Sequence, residues 1–353
     1  MKNYLIVILC LFRLLYAQVQ ISGNQNVYAA LLAYQCQNLT VNAATGFSPG
    51  MEVCILQMKG AKVNTANSPS YGSVTDFKQT GKFEFHQIVS INGNQIQLAK
   101  PVMTAFDVME PVQVIGFLPH QTDLLISSSV VPEAWNGSVG GVVILKTSRN
   151  LILNGQINAN GAGFRGGQKS NLQCSVLGSQ SSSYQFPYPA TNPALAVGQK
   201  GESIAELNSF SLGGRGGLAN GGGGGNVNDN AGGGGSNYGI GGKSELGHAG
   251  FIPTFGGHSL TNSPLDPRFF FGGGGGGASE NDSMATEGAN GGGLVFLFAD
   301  SIRGFGKIIA NGNSAIDAGA DGAGGGGAGG MICLQSNHIS SAIQLEAKGG
   351  SGG

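Results

Sequence analysis

Gly140-Gly141-Val142-Val143-Ile144-Leu145, followed by Ile157-Asn158-Ala159-Asn160-Gly161, is the stretch that decides the fold, because the chain writes it again twice. It returns as Gly292-Gly293-Leu294-Val295-Phe296-Leu297 with Ile308-Ile309-Ala310-Asn311-Gly312, and as Gly329-Gly330-Met331-Ile332-Cys333-Leu334 with Leu345-Glu346-Ala347-Lys348-Gly349. A double glycine opens each unit, an apolar strand follows, and a second strand ends in Ala-x-Gly. Units of this size cannot bury an apolar face alone, so self-similarity predicts stacked β-coils. In the second strand Ile157 and Ala159 alternate with Gln156, Asn158 and Asn160, which sets the inward and outward faces. The repeated alanine predicts that Ala159, Ala310 and Ala347 stack in equivalent places beneath successive turns of one rod.

Upstream, residues 18–134 have ordinary composition and read as a small all-β barrel or sandwich. Phe83 to Ile91 alternates, Asn92-Gly93 is a hairpin turn signal, and Ile96 and Leu98 resume the pattern. Val27 to Tyr34 is a short helical alternative. The solenoid occupies 135–353, and 168–290 interrupts it as a Gly/Ser-rich insert. Glycine runs at 221–225, 232–235 and 272–277 suit a linker, but Phe251, Ile252, Phe255 and Phe269-Phe270-Phe271 do not. Glycine allows backbones to hydrogen-bond side by side as extended helices with no side chain at the contact. The expectation is partly ordered loops lying over the coil.

The 353 residues include 64 glycines, only 10% charged residues and a net charge of −1. Average glycine usage is about 7%. Such a balance argues against charge-driven disorder and nucleic-acid binding. Lys2, the apolar run Tyr4 to Phe12 and Ala17 before Gln18 make 1–17 a secretory signal peptide. No later stretch reaches transmembrane length. The expected location is the exterior or the cell surface. Export permits disulfides. Cys36 and Cys54 are the structural pair expected from proximity, with Cys174 and Cys333 remaining.

Candidate chemistry is sparse. Gly161-Ala162-Gly163-Phe164-Arg165-Gly166 matches a dinucleotide fingerprint, but no helix follows to receive a pyrophosphate and no acidic residue stands about 20 positions on. Gly242-Lys243-Ser244 lacks the leading glycine of a phosphate loop, since 237 is Asn. Asp317-Ala318-Gly319-Ala320-Asp321-Gly322 resembles part of a calcium loop. Two carboxylates fall short of the six to eight oxygens that Ca2+ takes, so Asp317 and Asp321 are weak metal candidates and no cofactor is otherwise implied. The five histidines have no metal-ligand spacing. The outward coil positions hold Asn158, Ile309 and Glu346, which supply no carboxylate pair for glycoside hydrolysis. No catalytic residue is assigned, and the chain reads as a non-enzyme.

Gln57-Met58-Lys59-Gly60-Ala61, Tyr71-Gly72-Ser73-Val74, Gly81-Lys82-Phe83-Glu84-Phe85, Trp135-Asn136-Gly137, Gly161 to Gly167 and Phe269 to Gly274 occur in that order. In this the chain resembles the N-terminal regions of large glycine-rich surface proteins of Bacteroidota. The resemblance implies adhesin-type surface proteins associated with gliding motility and type IX secretion, although no sorting domain follows the last repeat here. Two functions are carried forward. The first is an exported, non-catalytic structural or adhesin-like protein that mediates attachment or envelope organisation, with surface glycans or envelope components as partners. The alternative is a secreted carbohydrate-binding or polysaccharide-degrading β-helix protein, with Tyr184, Phe186, Tyr188 or Phe269 to Phe271 as sugar platforms.

Overall fold

A computed structural model describes residues 18–170, 183–185, 197–208, 211–226, 229–245, 252–261, 263–280 and 284–353. Residues 1–17, the expected signal peptide, and Cys174, Phe186 and Tyr188 lie outside the described residues. The secondary structure among the described residues is β, with parallel ladders in the rod and antiparallel ladders in a barrel.

The rod is three-sided. One sheet stacks β1 (Gln18–Gln20), β11 (Asp123–Ile126), β14 (Asn150–Leu153), β17 (Ser301–Gly304) and β20 (His338–Ile339). A second stacks β10 (Pro119–His120), β13 (Val142–Thr147), β16 (Leu294–Phe298) and β19 (Met331–Gln335). The third stacks β12 (Ser129–Val130), β15 (Gln156–Asn158), β18 (Lys307–Ile309) and β21 (Gln344–Glu346). Every ladder is parallel, so like residues sit over like. Val143 pairs with Val295 and that with Ile332. Ile157 pairs with Ile308 and that with Leu345. The inward residues Leu124, Leu151, Ile302, Ile157 and Ile308 are wholly buried in one cluster. The expected alanine column continues the third sheet: Ala159 donates to the Ile309 carbonyl and Ala310 to the Glu346 carbonyl, each at 2.8 Å.

The strands of the second sheet are apolar on both faces because both are covered. Val143, Leu145, Val295 and Leu297 point into the rod. Val142, Ile144, Leu294 and Phe296 point outward against the barrel. That barrel closes in the order β2 (Val27–Gln35), β3 (Asn38–Val41), β8 (Gln95–Leu98), β7 (Phe83–Asn92), β4 (Glu52–Gln57), β9 (Val112–Phe117). Strand β4 is the hinge of the architecture. Val53 and Ile55 fill the barrel, while Cys54 and Leu56 pack on the rod. The side-chain amide of Asn26, 5% exposed, acts as a substitute strand: it donates to the Ile144 carbonyl at 2.9 Å and accepts from the Ile144 amide at 3.0 Å. Between β4 and β7 a short ribbon joins β5 (Lys62–Val63) to β6 (Val74–Asp76).

Three expectations need correction. Val27 to Tyr34 is strand, because Ala29 and Leu31 fill the barrel while Leu32 is exposed. The segment 18–134 is not one self-contained unit, since β1 and β10 to β12 are coils of the rod and the barrel is looped out between them. Cys36 and Cys54 are both free: Cys36 is exposed at a hairpin tip with φ of 51°, while Cys54 is buried against the rod and its thiol pKa is pushed up by burial.

The glycine-rich insert is a lattice. Its centre is Gly272–Gly277, and the bonding repeats every third residue. Gly272 and Gly275 donate to Gly292 and Ala289, Gly273 and Gly276 to Ser236 and Gly233, and Gly274 and Gly277 to Glu202 and Gln199. Their carbonyls accept with the same period, from Phe164 and Gly167, from Ala328 and Gly325, and from Gly222 and Gly225. A threefold extended helix without internal bonds has this periodicity. Six segments therefore surround one chain, and every backbone group of the run is satisfied without a β-sheet. Only glycine permits the approach: a Cβ on Gly275 would lie 1.9 Å from the Gly325 carbonyl oxygen.

Candidate functional site: a cleft between barrel and rod

Where the barrel leans on the second sheet, the ends of β13, β16 and β19 run past it and leave a cleft of 640 Å³. Strict register places Pro119, Lys146, Phe298 and Gln335 in one row across four coils. At the usual inter-strand spacing of about 4.8 Å that row is roughly 14 Å long. Barrel strands supply the facing wall through Glu52, Phe85, Gln87 and Phe117.

The floor is aromatic. Phe85 meets Phe298 edge to face at 5.3 Å and Phe117 at 6.0 Å. Phe298 and Phe85 are half-buried, so each keeps accessible ring surface, whereas Phe117 is 1% exposed and serves as backing. Around this floor stand Gln87, His120, Gln121, Ser148, Gln335, Ser336 and Asn337. Ser148 Oγ donates to Gln121 Oε1 at 2.8 Å, and Asn337 Nδ2 to Asp300 Oδ1 at 2.9 Å. Burial lowers the His120 pKa below the ordinary histidine value, which favours neutral imidazole with one donor and one acceptor. Glu52 is the one carboxylate of the lining. Lys146 Nζ reaches both its oxygens at 2.8 Å, so the charge is neutralised in place. Such a surface offers an apolar face and neutral amide and hydroxyl groups, suited to a ligand with C–H faces and hydroxyl edges.

A second charged cluster is a fastening. Glu202 Oε1 lies 2.7 Å from Lys59 Nζ of the barrel, and its Oε2 accepts from Arg165 Nε at 3.0 Å and from Trp135 Nε1 at 3.1 Å. Burial alone would raise the Glu202 pKa, but the Lys59 and Arg165 charges and hydrogen bonds more than offset it and hold it at about 2. A carboxylate so firmly ionised cannot serve as a proton donor near neutral pH. Lys200 is likewise internal: its ammonium donates to the carbonyls of Tyr184, Gly214 and Gly216 at 2.6–2.7 Å, while burial pushes its pKa well below the lysine value.

The sequence-derived site residues fare unevenly. Phe270 and Phe271 are 2% and 0% exposed and pack with Phe77, Trp135 and Phe164, so these two rings are not a sugar platform. Phe269 itself meets Phe83 and Phe296. Tyr184 lies half-buried on a different cavity, beside Phe255. Asp317 and Asp321 line a glycine-walled groove, where Asp321 Oδ2 accepts from the Met284 amide at 2.7 Å. Among the described residues no group of three or more His, Cys, Asp or Glu is arranged to hold a metal. The segment Gly161 to Gly166 enters the glycine lattice and not a helix, with Gly163 donating to Gly291. The cleft aromatics Phe85 and Phe298 were missed. The available signal was Phe298, which ends an apolar strand in phase with polar Lys146 and Gln335.

No family model and no curated protein matches the chain. Among solved structures it is similar, at 10% identity, to the gp54 tailspike of Acinetobacter baumannii bacteriophage AP22 in complex with A. baumannii capsular saccharide, with a TM-score of 0.21 over 92% of this chain and 57% of that one. The tailspike gp61 of Pseudomonas phage phi297 gives 0.21 at 10% identity, over 84% and 55%. The tailspike protein gp49 from Pseudomonas phage LKA1 gives 0.18 at 10% identity, over 41% and 25%. The chain thus spans little more than half of the first two and a quarter of the third. Likenesses this faint add nothing to the site, and the β-helical rod rests on its own ladders. No helix among the described residues is long and apolar enough to cross a membrane.

Proposed function

We propose that this chain is an exported, adhesin-like surface protein that binds glycan without cleaving it, and that the barrel–rod cleft is where the glycan lies. One observation carries the reading: a 640 Å³ cleft whose floor is half-buried Phe85 and Phe298 and whose rim is neutral amides and hydroxyls. Its single carboxylate, Glu52, is held by Lys146, and a hydrolase of the usual kind needs two. The signal-like N-terminus and the resemblance to glycine-rich Bacteroidota surface proteins support an extracellular setting.

The test is a glycan array with the full chain, followed by calorimetry on the best neutral oligosaccharide. Phe298→Ala is expected to weaken binding about tenfold or more, from loss of stacking area, and reducing-sugar release should stay at background. Wild-type affinity in the Phe298→Ala variant, or steady sugar release, would refute the proposal.

A further inference from the structure

A second cavity, of 370 Å³, lies where the 69–77 loop of the barrel side meets the glycine lattice, and it shares no residue with the cleft. Its walls are aromatic: Tyr184 and Phe255 are stacked at 5.6 Å with a tilt of 31°, and both are half-buried. Arg215 braces the pair from behind, 4.1 Å from the Tyr184 ring centre, and is itself 6% exposed. Two polar groups of this cavity are left without a polar partner. Tyr71, 2% exposed, lines it, and the Tyr71 hydroxyl is buried with no hydrogen-bond partner. Exposed Lys243 stands at its mouth with Nζ 4.8 Å from the Phe255 ring centre, and among the described residues no carboxylate lies within ion-pair distance of it. Ser73, Ser259 and Thr261 complete the lining.

We infer that this cavity is a second carbohydrate subsite, selective for a sugar that carries a carboxylate, such as a uronic acid. The inference extends the glycan-binding reading and rests on it. A buried donor left unmade is costly and is retained where something fills it. An ammonium lying over a ring is partly desolvated and still has N–H donors, which a carboxylate accepts with a charge-assisted bond. The half-buried rings give apolar contact to the carbon skeleton of the sugar, and the hydroxyls meet its alcohols. Lys243 supplies one point charge, matched to a singly charged carboxylate, and Arg215 is held inside, donating to the Pro253 carbonyl. The cleft, with its charges already paired, takes neutral sugar, so the two places differ in kind.

Calorimetry with trigalacturonic acid and with neutral galactotriose tests this on the full chain. The acidic probe is expected to bind at least about tenfold more tightly, the difference a charge-assisted bond supplies, and to weaken as salt is raised. Lys243→Gln should abolish that difference. Tyr71→Phe should lower the affinity about fivefold while leaving the melting temperature unchanged or higher, because it removes an orphaned hydroxyl. Phe298→Ala should leave acidic-probe binding intact. No binding of trigalacturonic acid, or equal affinity in Lys243→Gln and Tyr71→Phe, would overturn the inference. Loss in Phe298→Ala alone would overturn it too and assign the acidic sugar to the cleft, whereas neutral-sugar binding sensitive to Phe298 survives independently.

Discussion

A single carboxylate joins the parts of the molecule. Glu202 comes from the glycine lattice, Lys59 from the barrel, and Trp135 and Arg165 from the segments flanking the first repeat, and all meet within 3.1 Å of its oxygens. Its folded pKa of about 2 lies below the ordinary 4.5, so the folded state binds its proton less readily than the unfolded chain. The stabilisation, on the order of 3 kcal/mol, is therefore fully present above the unfolded value and is lost as pH falls from 4.5 towards 2. Urea melts at pH 7, 4 and 3 should show this decline in the wild type and a much flatter acid limb in Glu202→Gln, which starts lower because Lys59 loses its partner. Identical acid limbs would show that the pair does not couple the parts. None of this could be read in sequence, because Lys59, Arg165 and Glu202 lie far apart in a chain with few charges.

At the scale of elements, the rod was legible and the lattice only half so. Gly-Gly followed by four apolar residues, and Ala-x-Gly at the end of each unit, fixed the β13–β16–β19 and β15–β18–β21 ladders. The earliest coil was missed because β1 and β10 to β12 lack the double glycine and the barrel separates them. Glycine composition predicts side-by-side backbones but not their order, since the threefold period lives in hydrogen bonds and leaves no side-chain pattern. The cleft escaped for a related reason: it is built from strand ends of separate coils whose alignment only the register reveals. The lattice makes a sharp prediction. Gly275→Ala puts a Cβ 1.9 Å from a carbonyl oxygen inside the array and should cost more than about 3 kcal/mol. Gly242→Ala, with nothing within 4 Å, should stay within about 0.5 kcal/mol. Equal melting temperatures for the two variants would mean the array is not packed as described.

The whole molecule is a rod whose coils carry their cargo on one side: the barrel before β10, and the lattice mostly between β15 and β16. Binding places are expected at the seams between these bodies, and both proposed sites are there. The lattice should also behave as core despite its loop-like composition. Amides of 272–277, each donating to a neighbouring segment, should exchange with deuterium as slowly as those of β16, while exposed Tyr238 and Leu265 exchange at once. Fast exchange across 272–277 would contradict that.

The bonding of the central glycine run has a consequence for biosynthesis. Its partners arrive piecemeal, from Phe164 to Ala328, and the carbonyls of Gly273 and Gly276 wait for Ala328 and Gly325. A nascent chain halted near residue 320 would hold the run with its hub incomplete. Maturation of the insert is thus tied to synthesis of the third repeat, so the molecule closes at its centre after both ends of that centre have been made. Pairings so distant in sequence make for slow, late consolidation of the insert.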